Sequence, residues 1–200
     1  GIEKMSDNNT THRQVYQREE LHKKLWEMAN SLRNNMEGSE FKNYVLGLLF
    51  YRFLSEHEEL QIKELLKDDG ISFAEAYKNE DYVQPIIDWM IEANGYFIEP
   101  KYLFTSCINL IEQEKFDVDY LNKAINSITA STLGKKSEKL FENLFDDMDL
   151  TSSKLGRDVK SRSILIAKVM KSIDTIDFEL ENTEIDVLGD AYEYLIGMYA

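Results

Sequence analysis

Apolar residues recur along the chain at three- and four-residue intervals, and one stretch carries them most densely. Residues 40–66 read EFKNYVLGLLFYRFLSEHEELQIKELL, and from Tyr44 to Leu54 only Arg52 is charged. Phe41, Tyr44, Val45, Leu48, Leu49 and Phe53 fall on one helical face, and Leu46, Phe50, Tyr51 and Leu54 cover most of the rest. A helix apolar almost all round is either buried on several sides or crosses a membrane. A span needs roughly 20 apolar residues. This run is shorter, contains Arg52, and is followed by Glu56, Glu58 and Glu59. It is therefore predicted as the buried central helix of a soluble bundle, with Arg52 in a structural ion pair. Gly38 is expected to end whatever precedes it and Ser39 to cap the helix. Past Glu56 the pattern thins to Leu60, Leu65 and Leu66, so the helix is expected to emerge into solvent.

Helical spacing continues on both sides. Leu21, Leu25, Trp26, Met28, Ala29 and Leu32 predict an amphipathic helix over 18–33 anchored by Trp26. The Asp68-Asp69-Gly70 triplet is a turn, and Ser72 is expected to cap a short helix ending at Tyr77. Val83, Ile86, Ile87, Met90 and Ile91 predict a helix over 83–93 with Pro85 in its first turn, stopped by Asn94-Gly95. Residues 96–98 are the one stretch expected to be extended. Helices are predicted over 102–114, 120–128 (capped by Asp119), 137–145 and 159–173, with a loop over 151–156. Thr183 with Asp186 resembles a capping box, and Ile185, Leu188, Tyr192, Leu195, Ile196 and Tyr199 keep helical spacing to Ala200. No stop signal follows, so a longer protein is expected to continue. The fold class is all-α, a multi-helix bundle around the 40–66 helix. Residues 1–16 are expected to be a frayed segment, 1–4 being foreign residues before Met5, and 17–200 one helical domain.

Composition narrows the function. One cysteine, Cys107, excludes an intrachain disulfide, and 1–18 is polar with no visible signal peptide, so a cytoplasmic protein is expected. The net charge of −14 argues against an isolated nucleic-acid binder. His12, His22 and His57 lie far apart, and no metal site is expected. The run from Asp147 through Asp149 and Thr151 to Asp158 mimics a calcium loop only faintly, with Ser152 where the turn wants Gly. Neither GxxxxGK[ST], GxGxxG nor GxSxG occurs. Carboxylate pairs such as Glu58-Glu59 read as a solvated face. The charge distribution is more informative. Residues 151–171 hold Lys154, Arg157, Lys160, Arg162, Lys168 and Lys171 against Asp158 alone, a local charge of +5. Residues 172–200 hold eight acidic side chains and no basic one. The two segments either pair with each other, or the first is a phosphate-contacting edge on an otherwise acidic protein. Lys154, Arg157, Lys160 and Arg162 are the DNA-contact candidates.

Three stretches in order resemble the N-terminal region of the modification subunit (HsdM) of type I restriction–modification systems. They are residues 25–33 leading into EFKNYVLGLLFYRFLSE at 40–56, FDDMDLTSSKLG at 145–156 followed by the basic helix, and DVLGDAYEYLIGMYA at 186–200. The resemblance covers nearly the whole chain after residue 17. It implies a full protein that is an S-adenosylmethionine-dependent DNA methyltransferase acting on adenine N6, with a helical N-terminal domain before an α/β catalytic domain. It implies as partners a specificity subunit, a second modification subunit, a restriction subunit and double-stranded DNA, and no membrane. The family's [N/D]-P-P-[F/Y] tetrad has no counterpart, since Pro85 and Pro100 are the only prolines, and the glycine-rich cofactor motif is also missing. No catalytic or cofactor-binding residue is carried over, and the chain alone is expected to be inactive. A flipped adenine needs a pocket facing the methyl donor, and these residues build none. The reading from a different class is a free-standing helical protein–protein interaction module with no link to methylation.

Overall fold

The computed structural model describes residues 38–176 together with Glu19, Glu20, His22, Lys23 and Trp26. Every regular element among the described residues is helical, and none is a strand. The elements are α1 (Gly38–Leu66), α2 (Phe73–Tyr77), α3 (Glu80–Asn94), a 3₁₀ turn (Pro100–Tyr102), α4 (Phe104–Glu112), α5 (Val118–Ser131), α6 (Glu138–Phe145) and α7 (Val159–Asp174). The expected all-α bundle with a long buried helix is what forms. The frayed segment over 1–16, the closing helix over 183–200 and most of the helix over 18–33 lie outside the described residues. Trp26, expected to anchor that last helix, is 44% exposed.

The α1 helix is buried because its neighbours enclose it. Phe41, Tyr44, Val45, Leu48, Leu49, Tyr51 and Leu54 join residues of α4, α5, α6 and α7 in the main core. Gly38 and Ser39 are already helical rather than capping. The helix does not leave the protein after Glu56. Ile62 and Leu66 enter a second, smaller core with Ala76 of α2, Ile86 and Met90 of α3, and Phe97. The thinned pattern there misled because one apolar residue per turn suffices to meet α2 and α3 on a single face.

Boundaries shift where capping side chains decide them. The α3 helix starts at Glu80, capped by Asn79 through Asp81 N, so Pro85 stands in the second turn and not the first. Gly95 ends it at φ 81°, a conformation that favours glycine. The predicted 102–114 helix is a 3₁₀ turn followed by α4. Asp117, not Asp119, caps α5 by accepting from Tyr120 N at 2.9 Å. Ser72 caps α2 as expected.

Residues 96–98 are extended but pair with no strand. Their polar groups bond to helix side chains and one helix carbonyl. Ile98 N donates to Glu58 Oε1 at 2.8 Å, Phe97 N to Ser131 Oγ at 3.0 Å, and Tyr96 Oη to the Leu54 carbonyl at 2.7 Å. Further along, Phe104 N donates to Ser55 Oγ at 3.0 Å. This connection threads between the two cores, with Tyr96 and Ile98 in the main one and Phe97 in the smaller. Glu58 is therefore fully buried, against the expectation of a solvated face. Burial pushes its carboxyl up to about 9, and its Oε2 has no hydrogen-bond partner. Arg52 is buried as well. Its Nε pairs with Glu56 Oε1 at 2.6 Å, and its Nη1 donates to the Ile173 carbonyl in the last turn of α7. A cation at a helix C-terminus is favourable with the helix dipole, so the expected ion pair also ties α1 to α7.

Candidate nucleic-acid interface

The basic segment folds as a turn leading into α7. The turn is shaped by its own side chains: Asp149 Oδ1 accepts from Thr151 N at 2.9 Å and Thr151 Oγ1 at 2.7 Å, and Lys154 N donates to Ser152 Oγ at 3.3 Å. Leu155 is buried in the main core and pins the loop to the bundle. Gly156 lies against the first turn of α7. A Cβ there would come within 2.8 Å of Ser161 Cβ and 2.9 Å of Arg162 N, so the approach depends on glycine. Asp158 caps α7 by accepting from Ser161 N at 2.7 Å. Those same bonds hold the Asp149 and Asp158 carboxyls below their ordinary values. Asp149 and Asp158 of the calcium-like run thus serve as acceptors for nearby backbone N–H groups. Among the described residues no group of three His, Cys, Asp or Glu is arranged to hold a metal ion.

The four predicted contact residues do not share one environment. Lys154, Arg157 and Lys160 are exposed at the turn and the start of α7. Arg162 is half-buried and turns back on the loop, with Nη1 3.4 Å from the Gly156 carbonyl and Nε buried. On α7, Ser163, Ile166, Val169, Met170 and Ile173 are buried. The opposite side presents Lys160, Ile164, Lys168 and Lys171, all exposed, at intervals of four, four and three residues. Among the described residues no carboxylate forms a salt bridge with Arg157, Lys160, Lys168 or Lys171. Sequence reasoning counted Lys168 and Lys171 in the local charge but did not single them out. Their spacing from Lys160 was the available signal. Most of the acidic 172–200 segment lies outside the described residues.

Elsewhere among the described residues, neither Cys107 nor His57 is set up as a nucleophile or base. Cys107 is buried 3.3 Å from Tyr51 Oη, and burial pushes its thiol up to about 11, the opposite of an activated thiolate. His57 stacks on Phe53, and burial lowers its pKa. An open groove of about 1190 Å³ runs beside the second half of α1 and α2, lined by Leu60, Leu66, Ile71 and Phe73 with Glu59 and Lys63 on its walls. Among the described residues no helix is long and apolar enough to cross a membrane.

Residues 21–173 match the family model of the HsdM N-terminal domain. The chain is 36% identical over 192 residues to the type I restriction enzyme MpnII methylase subunit of Mycoplasma pneumoniae, covering 92% of this chain and 35% of that protein. It is 25% identical over 199 residues to the type I restriction enzyme MjaIX methylase subunit of Methanocaldococcus jannaschii, covering 98% of this chain and 34% of that one. The crystal structure of the type I restriction–modification system methyltransferase subunit from Streptococcus thermophilus superposes with a TM-score of 0.78 at 30% identity, over 92% of this chain and 39% of that one. The chain thus spans about a third of the length of the curated relatives it matches.

Proposed function

The chain belongs to the HsdM N-terminal domain family of type I restriction–modification methylase subunits, and from that premise we propose that its work is to bind partner subunits and help enclose duplex DNA. In this reading another domain of the full-length subunit transfers a methyl group from S-adenosylmethionine to adenine N6, in the cytoplasm. In the same reading the chain alone is inactive, because its sequence carries neither the [N/D]-P-P-[F/Y] tetrad nor the glycine-rich cofactor motif. Its partners are the specificity subunit, a second modification subunit and the restriction subunit.

One observation carries the DNA part of the reading. On a protein of net charge −14, the turn and first turn of α7 expose Lys154, Arg157 and Lys160 around a backbone held rigid by Leu155, Gly156 and the Asp158 cap. Segregated positive charge on an acidic protein suits phosphates, which position a protein on DNA without reading its sequence. Arg162 contributes by bracing the loop from within.

The test is charge reversal at Lys154 and Arg157 in the full-length subunit assembled with its specificity subunit. The DNA affinity of the double variant should fall on the order of tenfold at low salt, with a log–log salt slope shallower by about 2. Unchanged affinity and slope would remove the DNA edge from the reading while leaving family membership intact.

A further inference from the structure

The outer face of α7 is a second feature that the four candidate residues do not exhaust. Lys160, Ile164, Lys168 and Lys171 stand in one line along it, each exposed. From Lys160 to Lys171 the line is roughly 16 Å long at the helical rise per residue. No acidic residue stands between Asp158, spent as the cap, and Asp174. In a chain with 37 acidic side chains, none among the described residues forms a salt bridge with Arg157, Lys160, Lys168 or Lys171. Ordinary solvated helix faces mix signs and pair at i,i+4. The end of α1 mixes signs in this way, with Lys67, one residue past the helix, on Glu64 at 2.6 Å. The α7 face departs from that pattern over its whole length.

Resting on the DNA reading above, we infer that the phosphate-contacting surface continues from Arg157, just before the cap, along the entire outer face of α7 through Lys160 to Lys168 and Lys171, with the helix lying along the duplex backbone. The occupant is the sugar–phosphate backbone of double-stranded DNA, chosen by charge complementarity. A helix laid along the backbone places point charges on successive phosphates and presents no fork of side chains to base edges. Contact through Lys168 and Lys171 is therefore independent of DNA sequence. Ile164, 63% exposed at the centre of the line, meets the apolar face of deoxyribose rather than a phosphate.

Neutralisation at two exposed positions tests this without disturbing the fold. The native full-length subunit, wild type or carrying Lys168→Gln and Lys171→Gln, is assembled with its specificity subunit. It is then titrated with a cognate and a random duplex at several salt concentrations. The expected result is a salt slope shallower by about 1 per lysine and the same fractional loss of affinity on both duplexes. A slope equal to wild type overturns the inference. So does a loss confined to the cognate duplex, or a weakened hold on the specificity subunit at unchanged slope, which would assign the face to a protein partner. The Lys154/Arg157 variant in the same assay separates the two levels. If it loses affinity while Lys168→Gln/Lys171→Gln does not, only the extension fails. If neither changes the slope, the DNA reading itself fails.

Discussion

Glu58→Gln should make this protein progressively more stable than wild type as pH rises, and the gain can be worked from the structure. Glu58 is fully buried, its Oε1 accepting the Ile98 N–H at 2.8 Å and its Oε2 without a partner. Around it, Glu59 on the same helix and the Tyr96 ring on the connection offer no positive charge to favour ionisation. The folded state therefore keeps the proton up to about pH 9, against an ordinary value of 4.5. Between those limits the folded chain binds one more proton than the unfolded chain. The stabilisation from this group is complete below the unfolded pKa and is lost as pH climbs toward the folded one. The slope is about 1.4 kcal/mol per pH unit, so about 3 kcal/mol disappears between pH 6 and pH 8. Glutamine keeps a carbonyl for Ile98 N–H and cannot ionise. Its amide N–H groups lack an acceptor, at a pH-independent cost of about 1–3 kcal/mol. Urea unfolding of both proteins at pH 5, 6, 7 and 8 isolates the effect, because the many other carboxylates cancel in the difference. The variant's stability relative to wild type should rise by about 1.4 kcal/mol with each unit. The slope does not depend on the folded pKa so long as that value stays above the working range. Parallel curves would refute the argument, showing that Glu58 is solvated or paired in the folded state.

Two further substitutions probe the joints of the fold. Arg52→Gln removes the charge that meets Glu56 and the Ile173 carbonyl, and should cost about 2–3 kcal/mol in urea unfolding, with faster amide exchange in the last turn of α7. Gly156→Ala forces a Cβ against Ser161 Cβ and the Arg162 backbone, neither of which is a flexible tip. It should cost about 1–3 kcal/mol and, in the assembled enzyme, weaken DNA binding through a displaced loop.

The helices, their approximate order and the central place of α1 were legible from the chain, because hydrophobic spacing of three and four is a local property. Ser72, the Asp68-Asp69-Gly70 turn and the Asn94-Gly95 stop were legible for the same reason: each acts within a few residues. The long-range likeness to methylase subunits was also carried by the sequence, in motifs ordered over nearly its whole length. Other features depended on what came from far away. Glu58 looked like half of a solvated pair until the 95–104 connection closed over it, and only that connection made a buried carboxyl useful. The exposure of Lys168 and Lys171, and the inward turn of Arg162, depended on which side of α7 met α1, α4 and α5. A sequence lists charges and spacings. Which charges are covered, and which are left facing solvent without a partner, is decided when distant segments pack, since burial and pairing are properties of the space between elements.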